Sequence, residues 1–241
     1  MDPGLRPLTA PDVGEKMLQK YLPFVMVVPA MFVPAAPARA QDPVSLSADY
    51  NIEIDNAWVR VLRVKHPPHA KIPMHEHPAS VAVFLTDIHE KIKGADGQVR
   101  NLDRKAGEVG YNPPAKHAEE NVTDQPLEAV IIELKSGAPK SQHVALDPAI
   151  LDPEHHPILI DNDRVRVLRT ILEPHVIAPV HDHPHYVVVY LTELHTTMKL
   201  GNGRVIDNPR RPGEIAWRDA LRHQTEQMGD KTAVEIQVEI K

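Results

Sequence analysis

One internal repeat constrains this chain more than any other feature of its sequence. Shifting the numbering by 106 aligns residues 52–135 with residues 158–241 without a gap, and 31 of the 84 aligned positions are identical. Unrelated sequences of average composition would match at roughly one position in fifteen. The chain of 241 residues therefore contains a duplicated domain. Each copy, at about a hundred residues, is long enough to bury its own core.

The repeat keeps histidines in register. Of the fifteen histidines, ten form five pairs that are 106 residues apart. The pairs are His69 with His175, His75 with His181, His77 with His183, His89 with His195, and His117 with His223. A histidine that only improves solubility has no reason to keep such a spacing. We therefore expect some of these positions to share a structural or chemical role.

The composition excludes several classes of protein. The chain has no cysteine, which removes disulfides, zinc ribbons, iron–sulfur clusters and thiol nucleophiles, so any metal must be held by nitrogen and oxygen ligands. The net charge of −6 comes without a basic patch, so nucleic-acid binding is not expected. Apolar runs rich in Val and Ile, and 24 prolines, favour short strands over helices. We predict strands over residues 58–64, 81–85 and 129–134, and a hairpin turn at 201–203.

The first forty residues resemble an export signal. Lys16 and Lys20 precede an apolar run over residues 21–33, and the small residues at 35–40 end in the cleavage pattern Ala38-x-Ala40. We expect a periplasmic or secreted chain that begins at Gln41 and does not associate with the membrane; an uncleaved anchor is the alternative. Residues 1–40 carry four basic and three acidic groups, so a net charge of −7 remains. The predicted domains are residues 41–135 and 158–241, joined by a linker over 136–157.

Each repeat offers three imidazoles for one cation. His75 and His77 are two residues apart, so on a strand they lie on the same face, and His117 follows about forty residues later on another strand. Neutral imidazole suits Zn, Cu, Fe and Ni, and three protein ligands leave positions open for water or substrate. The second repeat has the same set in His181, His183 and His223. Outward-facing polar residues are the alternative, but two copies with the same spacing argue against it.

These motifs resemble the cupin superfamily. His75-Glu76-His77-Pro78 with the run Val81 to Leu85 is similar to its first motif, and residues 114–121, from Pro114 through His117 to Asn121, are similar to its second. The resemblance implies an all-β bicupin, with two tandem jelly-roll (double-stranded β-helix) barrels. This chain departs from the family where Val81 and Val187 replace the motif glutamate. His69 and His175 replace the motif glycine, where His tolerates a positive φ.

Some residues near the motifs have two open roles. His185 follows the second His pair and is either a fourth metal ligand or a turn residue after Pro184. If it is a ligand, we expect the second barrel to bind metal more tightly than the first. Tyr111 and Trp217, six residues before the third histidine of each set, line a cavity or pack in the core.

The resemblance and the histidines together indicate an exported metal-binding bicupin. We expect a metal-dependent enzyme of dioxygenase type that acts on a small anionic, oxygen-chelating substrate; a non-catalytic binding protein for a small molecule or metal, or barrels without a function, are the alternatives. The metal would be Zn, Cu, Fe, Ni or Mn, with Cu or Zn favoured by intrinsic affinity after export. A small-molecule ligand is the expected partner, and a homodimer is compatible with the sequence.

Overall fold

A computed structural model describes residues 41–140 and 144–241, so the expected signal peptide over residues 1–40 lies outside the described part of the chain. The structure is 57% strand and 4% helix. Average globular domains contain about a third helix, so this chain is clearly all-β, as the sequence predicts. None of its described helices is long and apolar enough to cross a membrane.

The first repeat folds into one short helix and nine strands that form two antiparallel sheets. The elements are α1 Pro43–Leu46, β1 Tyr50–Asp55, β2 Val59–His66, β3 Lys71–His77, β4 Ser80–Phe84, β5 Ile88–Gly94, β6 Val99–Arg104, β7 Val109–Asn112, β8 Ala115–Asn121 and β9 Leu127–Leu134. The strand order is β1-β2-β9-β4-β7 in the five-stranded sheet and β3-β8-β5-β6 in the four-stranded sheet. We call this unit barrel 1.

The second repeat has the same topology. Its elements are α2 Pro148–Leu151, β10 Ile158–Asp161, β11 Val165–Leu172, β12 His181–His183, β13 Tyr186–Tyr190, β14 Leu194–Leu200, β15 Val205–Arg210, β16 Ile215–Arg218, β17 Leu221–Gln227 and β18 Ala233–Ile240. The sheets are ordered β10-β11-β18-β13-β16 and β12-β17-β14-β15. This unit is barrel 2, and the pair confirms the prediction of two tandem jelly-roll barrels.

Alternating side chains divide the apolar residues between two kinds of core. On β2, Val59 and Val61 point away from barrel 1 and pack with Val165 and Val167 of the second repeat in one shared core. Leu62 and Val64, on the opposite face of β2, point into the barrel and pack in its own cluster. Side chains on a strand alternate between faces, so the five-stranded sheet of each barrel has one face for its interior and one for the other barrel.

Two arginines reinforce this contact in a reciprocal way. Arg63 of barrel 1 donates from Nη2 to the carbonyl oxygen of Gly213 at 2.6 Å, and Arg169 of barrel 2 donates from Nη1 to that of Gly107 at 3.1 Å. Both glycines have positive φ, 84° at Gly107 and 81° at Gly213, a conformation that costs glycine little. Positions 63 and 107 correspond to 169 and 213, so each barrel makes the same contact with its neighbour.

The local sequence predictions are confirmed. The strands predicted over residues 58–64, 81–85 and 129–134 correspond to β2, β4 and β9, and the turn at 201–203 joins β14 to β15. His69 and His175 have φ of 58° and 62°, the positive values expected where the motif glycine is replaced.

Candidate metal centres

The pairing of β3 with β8 builds the first histidine group. His75 lies directly opposite His117 in the register of these strands, and His77 points the same way as His75 because it is two residues along. The ring centroids of His75 and His117 are 4.6 Å apart, and those of His77 and His117 are 5.5 Å apart. One nitrogen from each of the three rings lies within 4.8 Å of the others. The structure therefore brings these three predicted residues together inside barrel 1.

Hydrogen bonds orient two of these rings. The Nδ1 atom of His75 is 2.9 Å from the carbonyl oxygen of Pro73, which can only accept, so Nδ1 carries the hydrogen and Nε2 keeps a lone pair. The Nδ1 atom of His77 donates in the same way to Oε1 of Glu133 at 2.7 Å. Burial would raise the pKa of Glu133, but hydrogen bonds from His77 and Arg60 outweigh it and lower the pKa. Glu133 is therefore a carboxylate that fixes the tautomer of His77.

Barrel 2 repeats the arrangement with His181 and His183 on β12 and His223 on β17. His181 lies opposite His223 in register, with ring centroids 4.4 Å apart, and the three nitrogens again lie within 4.8 Å of one another. The Nδ1 atom of His181 is 2.7 Å from the carbonyl oxygen of Pro179, and that of His183 is 2.8 Å from Oε1 of Glu239. The repeat thus preserves the partners of the histidines as well as the histidines themselves.

Burial keeps the imidazoles of barrel 2 neutral. It lowers the pKa of His183 and of His223 well below the usual range, and the neighbouring imidazoles lower both further. The Nε2 atoms of these two residues are buried and have no hydrogen-bond partner. Buried polar groups are normally paired, so these two adjacent nitrogens are available to a bound partner such as a cation.

His185 does not join the second histidine group, which corrects the prediction that it acts as a fourth ligand. Its ring stacks on Trp217 at 5.7 Å between centroids and also contacts Trp58 of barrel 1 at 4.4 Å. Its Nδ1 atom accepts a hydrogen bond from the backbone nitrogen of Ala220 at 3.3 Å. His185 lies in the connection between β12, which ends at His183, and β13, which begins at Tyr186. Tyr186 lines the cavity of barrel 2, whereas the preceding His185 points toward the neighbouring barrel.

The contacts of Tyr111 and Trp217 also decide between the two roles considered for them. Tyr111 and Trp217 pack against the core shared by the two barrels. They are therefore packing residues and do not line either interior cavity described below. His89 and His195 are about half exposed and pair with Asp103 and Asp207 at 2.8 and 2.7 Å on the barrel surfaces.

A carboxylate next to the first histidine group was missed in the sequence. Oε1 of Glu119 is 2.9 Å from Nε2 of His117, and its Oε2 accepts a hydrogen bond from the hydroxyl of Tyr50 at 2.5 Å. Although Val81 replaces the motif glutamate, the three imidazoles of barrel 1 therefore have a carboxylate beside them. Glu119 is two residues after His117 on β8, so the same alternation that pairs His75 with His77 could have identified it. Barrel 2 has Thr225 at the corresponding position.

The two barrels differ in free space. Barrel 1 encloses a cavity of about 240 Å³ that reaches His77, His117 and Glu119. The cavity in barrel 2 measures about 30 Å³, close to the volume of one water molecule. Larger side chains account for much of the loss, because Tyr186 stands in barrel 2 where barrel 1 has Ser80. Of these two interior cavities, only that of barrel 1 has room for an organic ligand.

Comparison with known proteins places the fold. No protein-family model and no curated protein sequence matches the chain. Among solved structures, AerE from Microcystis aeruginosa aligns over 84% of this chain and 97% of its own, with a TM-score of 0.61 and 13% identity. Oxalate decarboxylase from Bacillus subtilis, a protein with Mn(II) centres, aligns over 80% of this chain and 75% of its own, with a TM-score of 0.53 and 12% identity.

Both neighbours are cupin-type proteins, and oxalate decarboxylase is a bicupin. The two jelly-roll barrels in tandem, each with a three-histidine group at the position of the first and second motifs, agree with them. This chain is therefore a bicupin in fold.

Proposed function

We propose that this chain is a metal-binding bicupin whose barrel 1 binds and converts a small anionic, oxygen-chelating molecule. The observation that carries the proposal is the convergence of three imidazole nitrogens in each barrel. In each group, two of the rings donate the Nδ1 hydrogen to a backbone carbonyl or to a carboxylate, so Nε2 carries the lone pair. Histidines that bind metals typically make such a hydrogen bond with the nitrogen that does not contact the metal.

The residues fit a divalent transition metal. All six imidazoles present nitrogen donors, and burial favours the neutral, metal-binding form of His183 and His223. Their unpaired Nε2 atoms would be satisfied by a cation. Imidazole ligands suit Zn, Cu, Fe and Ni. Mn remains a candidate as well, because the structurally similar oxalate decarboxylase of B. subtilis has Mn(II) centres.

Barrel 1 is the better candidate for the reaction chamber. Its cavity of about 240 Å³ lies slightly below the usual range of about 300–1,000 Å³ for drug-sized ligands, which suits a small substrate. Arg100 and Arg104 line the same cavity. Guanidinium groups bind carboxylates in a bidentate way, so these two residues would attract and orient an anion. An oxalate-like dicarboxylate has the size and charge that this cavity favours.

The protein groups around the cavity supply binding and orientation. Glu119 holds the hydroxyl of Tyr50 at 2.5 Å, so this hydroxyl has a fixed direction close to His75, whose Nε2 is 3.4 Å away. The apolar residues Phe84 and Ile88 line the same cavity and limit the access of water. A bound divalent cation would add Lewis-acid chemistry, or activation of O₂ if the dioxygenase prediction is correct.

Two measurements test the binding proposal. Elemental analysis of the purified protein is expected to find metal. The double variants His75→Ala/His77→Ala and His181→Ala/His183→Ala are each expected to lose the ion of one histidine group. Absence of metal from a protein reconstituted with Zn²⁺ or Mn²⁺ would reject it. His185 lies outside the second histidine group, so it gives barrel 2 no advantage in metal affinity.

Ligand titration tests the substrate class. The metal-loaded protein is expected to bind oxalate and acetylacetone more tightly than glucose, and the first double variant is expected to lose this preference while the second keeps it. Tighter binding of the neutral sugar would contradict an anionic substrate. Oxygen uptake with bound ligand distinguishes a dioxygenase from a non-catalytic binding protein, since the latter binds the same ligands and forms no product.

We also infer that the protein is exported and that the mature chain begins at Gln41. Gln41 already belongs to barrel 1, because its carbonyl oxygen accepts a hydrogen bond from the backbone nitrogen of Glu76 at 3.3 Å. The intact mass of the protein from the periplasmic fraction tests this inference, and a mass that includes residues 21–40 would contradict it.

A further inference from the structure

A second group of metal-binding side chains lies beside the first histidine group. His66 on β2, Glu90 on β5 and Glu119 on β8 each offer one ligand atom, and these three atoms lie within 4.8 Å of one another. We call these residues the His66 cluster. His66 is 1% exposed, and Glu90 is 6% exposed, so the cluster belongs to the interior of barrel 1.

His66 resembles a metal ligand in the way that its ring is held. Its Nδ1 atom is 2.8 Å from Oε1 of Glu90, which repeats the contact between His77 and Glu133. Its Nε2 atom is buried, has no hydrogen-bond partner and lies 3.6 Å from Oε2 of Glu119. A buried nitrogen without a partner is costly in a purely structural residue.

Glu119 lies between the two groups. Its Oε1 faces His117 of the first histidine group at 2.9 Å, whereas its Oε2 faces His66 at 3.6 Å. One carboxylate can therefore present one oxygen to each of two cations. Such bridging is how paired metal centres are held, at separations of about 3.5–4 Å.

The charges of the cluster also favour a cation. Neither Glu90 nor Glu119 pairs with a lysine or arginine among the residues that the structure describes; both pair only with histidines. Glu133, by contrast, is neutralised by Arg60 at 2.5 Å. Two carboxylates in a barrel interior without such a partner leave negative charge that a bound cation would compensate.

Barrel 2 provides an internal comparison. The positions that correspond to the His66 cluster hold Leu172, Thr196 and Thr225. Barrel 2 therefore keeps the three-histidine group and lacks every ligand of the second group. The two groups vary independently between the repeats, as expected if they are separate sites.

We propose that barrel 1 binds a second divalent cation through His66, Glu90 and Glu119, with Glu119 bridging to the cation of the first histidine group. The bridge rests on the proposed metal site of that group, whereas the His66 cluster itself does not. One imidazole with two carboxylates is a donor set rich in oxygen, so it favours Mn²⁺ over the softer Cu⁺. The full chain would then bind three Mn²⁺ ions, two in barrel 1 and one in barrel 2.

Equilibrium dialysis of the chelator-treated full chain against Mn²⁺ tests the stoichiometry. The wild type is expected to bind three equivalents and His66→Leu two, a change that places in barrel 1 the residue that barrel 2 has at position 172. The double variant His181→Ala/His183→Ala is also expected to bind two. Electron paramagnetic resonance of the double variant His181→Ala/His183→Ala, which lacks the isolated ion of barrel 2, adds a second measure. Its paired ions in barrel 1 should couple, and the signal of isolated Mn²⁺ should appear only after His66→Leu is added.

The outcomes separate the two proposals. If His66→Leu binds as many ions as the wild type, and Glu90→Gln does too, the second site is refuted while the histidine sites stand. If neither the wild type nor any variant binds Mn²⁺ or Zn²⁺, the proposed metal-binding function fails as well. Circular dichroism of each variant identifies loss of fold, and Glu90→Gln, which keeps the size of the side chain, then replaces His66→Leu as the test.

Discussion

Glu235 on β18 offers a quantitative test of the electrostatics inside barrel 2. Its side chain lines the small interior cavity and accepts a hydrogen bond from Nε2 of Gln237 at 2.7 Å. Burial raises the pKa of Glu235 to about 7, against the lowering effects of Gln237 and of the guanidinium of Arg218. The carboxyl therefore keeps its proton in the folded protein at a pH at which the unfolded chain has lost it.

The sign of the effect on stability follows from this difference. Below pH 4.5 both states are protonated and Glu235 contributes nothing to the pH dependence. As the pH rises from 4.5 to about 7, the unfolded state gains the free energy of ionisation and the folded state does not, so stability falls; above pH 7 it is constant. At about 1.4 kcal/mol for each tenfold change in proton affinity, the total loss is about 3 kcal/mol.

The substitution Glu235→Gln removes this loss and keeps the size of the side chain. Urea unfolding in the presence of a chelator should show the variant gaining about 2–3 kcal/mol relative to the wild type between pH 5 and pH 8. The exposed Glu154 provides the control, and Glu154→Gln should leave the pH dependence unchanged. Equal pH dependence in the wild type and in Glu235→Gln would refute the reasoning, whatever the absolute stability of the variant.

Three further predictions concern the metal centres and the contact between barrels. Glu133→Gln should weaken metal binding in barrel 1 by about 10–100-fold, measured by competition with a chromophoric chelator, because the amide no longer fixes the tautomer of His77. His185→Ala should leave the metal content unchanged and lower the free energy of unfolding by about 1–2 kcal/mol, since it removes a ring that packs on both Trp58 and Trp217. Removal of metal should lower the melting temperature, and metal at a hundred times its Kd should restore about 2.7 kcal/mol; an unchanged melting temperature would contradict binding to the folded state.

The repeat made much of this structure predictable. A shift of 106 residues retains ten histidines in five pairs, and the alternation of side chains on a strand then places His75 and His77 on one face. The third histidine of each set could be expected nearby from the cupin resemblance. These steps rest on comparison of the two repeats, on the period of a strand, and on resemblance to known motifs.

The His66 cluster could not be found in that way. Its three residues come from β2, β5 and β8, whose approach depends on the strand order of the barrel rather than on spacing in the sequence. Comparison of the two repeats does not identify these residues either, because barrel 2 has other residues at the corresponding positions. The packing of His185 on the two tryptophans could not be predicted from the sequence either, because it forms only where the two barrels meet.

The reciprocal contacts of Arg63 and Arg169 have the form of an isologous interface, in which one patch meets its own copy across a two-fold axis. In a dimer of separate single barrels, each mutation would change both chambers at once. Covalent fusion of the copies removes that constraint, so Tyr50 can stand in one chamber where His156 stands in the other. The two halves of the interface are therefore equivalent, whereas the chambers differ in volume, at about 240 Å³ in barrel 1 and about 30 Å³ in barrel 2.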